Sequence, residues 1–354
     1  MNSDDDARTR AIASDKARRR RARALILILA VAAVVCFFVC ISIGPVRLPL
    51  DRVWDAVTGH PQKWSDRMIV QDIRMPEVLG AAVVGGALSL GGMAMQALFK
   101  NPMASPSVLG VSSGASFGAA VFIAYGAALW ASSWGTVLTS FFTALFTLFL
   151  VYLLAYRRRG GVQTTMLLLA GMAVSAMFSG LTSMVEFFSD ADTVTAIVFW
   201  SLGSFDKLSW TDVKVMLVPV AVGVALILVN VRALNLLSSG ESKARALGVN
   251  VPRVRLMLLL GAALLVSGTV AFCGVIGFVG LIVPHAFRAV VGADHKRLAP
   301  VCLLGGAVFM MVIDTFARSV MSPYILPVGT ITSLIGAPFF LWILRSRKNA
   351  VWRN

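Results

Sequence analysis

The chain has 354 residues, of which 58% are hydrophobic and only 14% charged, with a mean hydropathy of +0.81. That little charge cannot cover a water-soluble surface at this length, and a single soluble core stops growing near this size, so an ordinary soluble domain is excluded. The net charge of +15 would suggest nucleic acid in a soluble protein, but the basic residues stand in clusters between apolar runs, which marks membrane topology, and no nucleic-acid partner is expected.

In chain order, residues 1–23 hold Asp4, Asp5 and Asp6 and then Arg18, Arg19, Arg20, Arg21 and Arg23. They read as a disordered basic cytoplasmic tail. The apolar run that follows lacks a small-residue cleavage site and ends in Gly44-Pro45, so it reads as a retained first helix and not as a signal peptide. About 20 apolar residues cross a bilayer core of about 30 Å. Runs of that kind fall at 24–44, 76–98, 108–129, 133–156, 163–187, 213–231, 254–273, 281–291, 299–321 and 328–344, ten in all. The eighth is too short for an ordinary crossing and follows the glycine-broken stretch Gly274 to Gly280, so it reads as a half-helix. The fold class is therefore all-α and polytopic, with one transmembrane domain over 24–345 and a short cytoplasmic tail at 346–354.

With the N-terminus inside and the spans alternating, 24 of the 32 lysines and arginines fall on the inner side. The other 8 are Arg47, Arg52, Lys63, Arg67, Arg74, Lys207, Lys214 and Arg318. This bias predicts that both termini are cytoplasmic. Small residues let membrane helices approach closely, and Gly85-Gly86, Gly91-Gly92, the series Gly110, Gly114, Gly118, and Gly274, Gly277, Gly280 are positioned for it. The four cysteines lie in apolar runs and are expected to pack, not to pair. The three histidines, His60, His285 and His295, are scattered, and no metal site or cofactor is expected.

No Walker A pattern occurs, so the chain holds no nucleotide of its own and is not expected to be an enzyme. Charge inside the apolar runs is sparse. The clear case is Asp314 with Arg318, four residues apart on one helix face, a self-neutralising pair near an outer helix end. A carrier driven by an ion gradient needs more ionisable groups along its path, so external energy is the better expectation.

Three stretches carry a specific resemblance. The first runs from Arg74-Met-Pro76-Glu77 through Gly85 to Gly92 and on to Gln96, Lys100-Asn101-Pro102 and Gly110. The second is Gly274 to Arg288 with Asp294-His295. The third is Leu326-Pro327-Val328-Gly329 with Gly336-Ala337-Pro338-Phe339-Phe340. In this order, over about residues 45–345, the chain resembles the FecCD family, the permeases of iron-siderophore, haem and vitamin B12 ABC importers. The resemblance implies a fold like that of the vitamin B12 importer permease and a dimer, with a second copy or a paralogous permease. It also implies a cytoplasmic ATPase dimer below, an extracytoplasmic substrate-binding protein above, and a bacterial cytoplasmic membrane around it. Cargo would pass along the dimer interface.

The family's ATPase-coupling helix matches Ser239-Gly240-Glu241-Ser242-Lys243-Ala244-Arg245-Ala246-Leu247-Gly248. Here Ala244, Ala246 and Leu247 are expected to form an apolar knob rimmed by Glu241, Lys243 and Arg245; the plain alternative is a solvated loop. By the same resemblance Arg74 and Arg318 match arginines that dock the binding protein. Glu77 reverses a third charge and Ile325 replaces a common glutamate, leaving Arg52, Lys63 or Arg67 to supply docking charge. Thr164 and Thr165 match the inner gate, or simply bond back to their own helix. The cargo expected is a ferric siderophore, with haem or vitamin B12 as the alternative. From other classes, a proton-coupled secondary transporter or a passive channel would work without an ATPase.

Overall fold

The computed structural model describes residues 2–46, 48–61, 63–126, 134–157 and 161–351. Arg47, Arg158, Arg159 and Arg353, which entered the charge count, lie outside the described residues, as do 127–133 between the third and fourth runs.

The helices are α1 (Asn2–Ser42), α2 (Leu50–Val57), α3 (Trp64–Arg67), α4 (Met75–Leu98), α5 (Val111–Val121), α6 (Trp134–Ala155), α7 (Thr164–Phe187), α8 (Ala191–Ser201), α9 (Trp210–Val229), α10 (Val231–Ser238), α11 (Glu241–Ala246), α12 (Val251–Cys273), α13 (Val279–Val291), α14 (His295–Ser319) and α15 (Val328–Val351). A π-helical turn, Met68–Arg74, joins α3 to α4 without a break. The only strands among the described residues are the two-residue β1 (Tyr156–Arg157) and β2 (Gly161–Val162), antiparallel with Tyr156 opposite Val162. Among the described residues, seven helices are long and apolar enough to cross a membrane, and the shorter apolar helices Val111–Gly126, Val279–Val291 and Val328–Ile343 account for the rest of the ten expected runs. Helices α2, α8 and α10 are short or outer elements that hydropathy alone did not separate from loops.

The expected disordered tail is helical: α1 begins at Asn2. Its Ala, Lys and Arg residues are good helix formers. Likewise α15 continues to Val351, through the stretch assigned to a C-terminal tail.

Burial separates a hub from a rim. In the most apolar window of the α3–α4 run 83% of residues are buried, against 11% for the first span and 17% for α7. Helix α4 lies against α14, α12, α13 and α9, while α1 leans on α14, and α5 on α6 and α7. The hub packs backbone on backbone. A Cβ at Gly85 would overlap the Gly306 carbonyl on α14, and one at Gly92 would overlap the backbone of Gly280 on α13. Lipid tails give helices no hydrophobic reason to associate, so this close van der Waals contact is what assembles them.

The break before α13 is built in. Gly274 takes φ +68°, and Phe278 takes φ +64° at the start of α13. Irregular backbone at membrane depth survives only where protein satisfies it. Here the Ser204 N–H donates to the Cys273 carbonyl at 2.9 Å and the Val328 N–H to the Gly203 carbonyl at 2.9 Å. One loop thereby ties the end of α12 to the start of α15. All four cysteines are free; the Cys36 and Cys40 sulfurs lie 3.5 Å apart on one face of α1.

Adjacent glycines give opposite expectations. An alanine at 91 meets its nearest neighbour, Pro106, at 3.3 Å, whereas one at 92 runs into the α13 backbone. In thermal unfolding of the purified chain, Gly91→Ala should stay within about 1 kcal/mol of wild type, since alanine's helix propensity offsets slight crowding. Gly92→Ala should lose about 3 kcal/mol or more through overpacking. Equal midpoints would mean the α4–α13 contact does not hold the bundle.

Candidate functional site

Two polar constellations lie at opposite ends of the hub. At one end, α10 and α11 form a short surface elbow between the spans α9 and α12. Gly240 (φ +124°) and Gly248 (φ +82°) bracket α11, with backbone that only glycine adopts easily, so α11 stands as a separate one-and-a-half-turn helix. Ser242, Lys243, Arg245, Ala246, Leu247 and Gly248 are exposed, with Leu247 at 67%. Ala244 is not part of the expected apolar knob: it is fully buried and its carbonyl accepts the Val249 N–H at 3.0 Å. Glu241 is not a free rim charge either. It pairs with Arg255 on α12 and, at 3.5 Å, with Arg245. The face left outward is Lys243, Arg245, Ala246 and Leu247.

The elbow is anchored on its other side by Asn235 of α10. Its Nδ2 donates to the Asp294 carboxylate at 2.7 Å, and its Oδ1 accepts the His295 backbone N–H at 2.8 Å. The His295 Nδ1 lies 2.7 Å from the same Oδ1, which fixes the proton on Nδ1, because an amide oxygen only accepts. Asp294 also caps α14 by accepting the Lys296 N–H at 3.0 Å and pairs with Arg297 at 3.2 Å. Helix α11 is thus tied to α12 through Glu241–Arg255, and its neighbour α10 is tied to α14 through Asn235. The sequence reading singled out Asp294-His295 but missed Asn235 and Arg255; the available signal was a polar side chain in an otherwise apolar turn.

At the opposite end, Arg74 and Arg318 are each 3% exposed, so neither presents its charge to a docking partner in this structure. Arg74 donates to the Ile41 carbonyl at 2.7 Å, the Ser42 carbonyl at 3.3 Å and the Val46 carbonyl, capping the C-terminus of α1 with positive charge. Arg318 pairs with Asp314 at 3.0 Å, as its spacing predicted, and also with Glu77 on α4 at 3.5 Å. Glu77, which looked like a reversed charge, is the second acid beside Arg318 in a buried group of two arginines and two acids. Arg52 is held by Asp66 at 2.9 Å. The exposed basic residues at this end include Lys63, Arg67 and Lys207.

Thr164 and Thr165 open α7 right after β2, half-buried and exposed respectively. Gly110 to Gly114 has the G-x-S-x-G spacing of a hydrolase nucleophile, but a 3-10 turn and not a strand leads into it, and Gly114 packs on Thr147.

The model of the FecCD transport family matches residues 31–346. The chain belongs to the FecCD transport family. It is 36% identical over 311 residues to a haemin transport permease of Yersinia pestis, covering 87% of this chain and 91% of that one. Identity is 42% over 282 residues to a cobalamin import permease of Halobacterium salinarum, covering 80% and 74%. It is 36% over 325 residues to a ferric dicitrate transport permease of Escherichia coli, covering 90% and 96%. A solved metal-chelate-type ABC transporter in an inward-facing conformation superposes with a TM-score of 0.81 at 33% identity, covering 92% of this chain and 99% of that one. As a FecCD member the chain is a multi-span permease subunit of an ABC importer, a class that works with an ATPase and a binding protein.

The buried outer group separates a structural from a docking role for this FecCD chain. Arg318→Met strands two carboxylates, and breaking a buried pair costs about 3–5 kcal/mol. Adding Glu77→Leu should recover part of that loss in a double-mutant cycle of unfolding midpoints. A docking residue would instead leave the midpoint unchanged and weaken only binding-protein affinity.

Proposed function

We propose that this chain carries a ferric siderophore, received from an extracytoplasmic binding protein, across a bacterial cytoplasmic membrane in which both termini face the cytoplasm. Two permeases, identical or paralogous, would enclose the path, and a separate ATPase dimer would drive it by engaging α11. The observation that carries the coupling is the bracketed helix itself. Leu247 stands exposed beside Lys243 and Arg245, while Ala244 is buried and Glu241 is paired with Arg255. An apolar tip with a basic surround, mounted rigidly, is what a cleft on another subunit can push.

Thr164 and Thr165 fit an inner gate because hydroxyls at the start of α7 can close a path without leaving charge in it. Docking falls to Lys63, Arg67 and Lys207 in place of the buried arginines. Relatives for ferric dicitrate and haemin support an iron chelate, and the sparse charge of the spans suits a bulky cargo that must also leave. The cobalamin relative, at 42% identity, favours a second reading in which the cargo is a corrinoid or haem.

The test is uptake into proteoliposomes holding the permease, its ATPase and its binding protein, offered ferric hydroxamate, haem and cobalamin in turn. Ferric hydroxamate should accumulate; accumulation of haem or cobalamin instead transfers the assignment to the second reading. Leu247→Asp should cut uptake at least about tenfold while membrane insertion stays intact, since a charge in an apolar cleft is left unpaired. Undiminished uptake by that variant removes α11 from the coupling role.

A further inference from the structure

The basic end of α1 precedes the family match, which starts at residue 31, and no part of the transport reading uses it. Its geometry is ordered. Ala22 is 2% exposed and packs into the main core, which fixes the rotation of the helix. At roughly 100° per residue, Lys16, Arg20 and Arg23 lie roughly 100° to 160° around α1 from Ala22, within roughly 60° of one another. All three are exposed. The same stripe continues downward through Leu27, Val31 and Val34, which are 67%, 57% and 60% exposed.

One face of one helix thus passes from three cations to a bare apolar track. From Arg23 to Val34 the rise is about 16 Å at about 1.5 Å per residue, close to the roughly 15 Å depth of one leaflet. We propose that this face binds an anionic phospholipid, its phosphate among Lys16, Arg20 and Arg23 and an acyl chain along Leu27, Val31 and Val34. An acidic soluble partner would use the charges and leave the apolar track unexplained. An amphiphile uses both, and long basic side chains can lie along the helix while their heads reach a phosphate. The inference rests on the topology in which the basic end meets the cytoplasmic headgroups.

The purified full-length chain is placed in mixed micelles with spin-labelled phosphatidylglycerol or phosphatidylcholine, and the motionally restricted lipid is measured. No ATPase or cargo takes part, so the result stands apart from the transport reading. Wild type should hold phosphatidylglycerol roughly tenfold more tightly at the selective site, a preference that fades in high salt. Lys16→Gln/Arg20→Gln/Arg23→Gln should abolish the preference. Arg18→Gln/Arg19→Gln/Arg21→Gln removes the same charge from the other sides of α1 and should keep it. The proposal is overturned if the first variant keeps the preference, if both variants lose it equally, or if wild type shows none and its copies associate through α1 instead.

Discussion

The bundle depends on the contact of α4 with α13 and α14, where glycine faces backbone. Gly85 and Gly306 each occupy space that the other's carbonyl would deny to a side chain, and Gly92 does the same against Gly280. In a bilayer there is no hydrophobic gain in hiding one apolar helix behind another, so only close, extended contact outweighs helix–lipid contact. This makes α4 a rigid hub, and it places a half-helix, α13, where an ordinary span would stand. The irregular backbone at Gly274 to Phe278 is tolerable because neighbouring loops bond to the ends it exposes.

Charge is placed at the two ends of that hub and serves different ends. The group of Arg74, Glu77, Asp314 and Arg318 is closed on itself and on the terminus of α1. It locks α1, α4 and α14 together. The group at the other end is open: Glu241–Arg255 and Asn235 with Asp294 and His295 connect the α10–α11 elbow to two spans while leaving Leu247 exposed. In the reading proposed above, a bundle stiff in its middle would turn a push at α11 into movement of α12 and α14.

Much of this was legible in the sequence. The ten apolar runs, the half-helix after Gly274 and the Asp314–Arg318 pair follow from length, glycine spacing and helical period. What sequence could not supply was rotation and reach. Whether Arg74 looks outward or back at α1 depends on the turn between α3 and α4, and that turn is a π-helical one that shifts the face. Glu77 read as a lost docking charge because its partner lies 241 positions away on another helix. Ala244 read as part of an exposed knob because a six-residue helix has too few positions to show which face is buried. The helical start of α1 was missed because a basic segment reads alike as a tail or as a solvated helix.

The central claim is that work done on another subunit moves cargo through this chain. The direct measurement compares two energy sources in sealed vesicles containing the permease, its ATPase and its binding protein, following accumulation against a cargo gradient. With ATP on the ATPase side and no ion gradient, accumulation should proceed and stop when ATP is removed. Accumulation sustained by a proton or sodium gradient in vesicles that lack the ATPase would contradict the account.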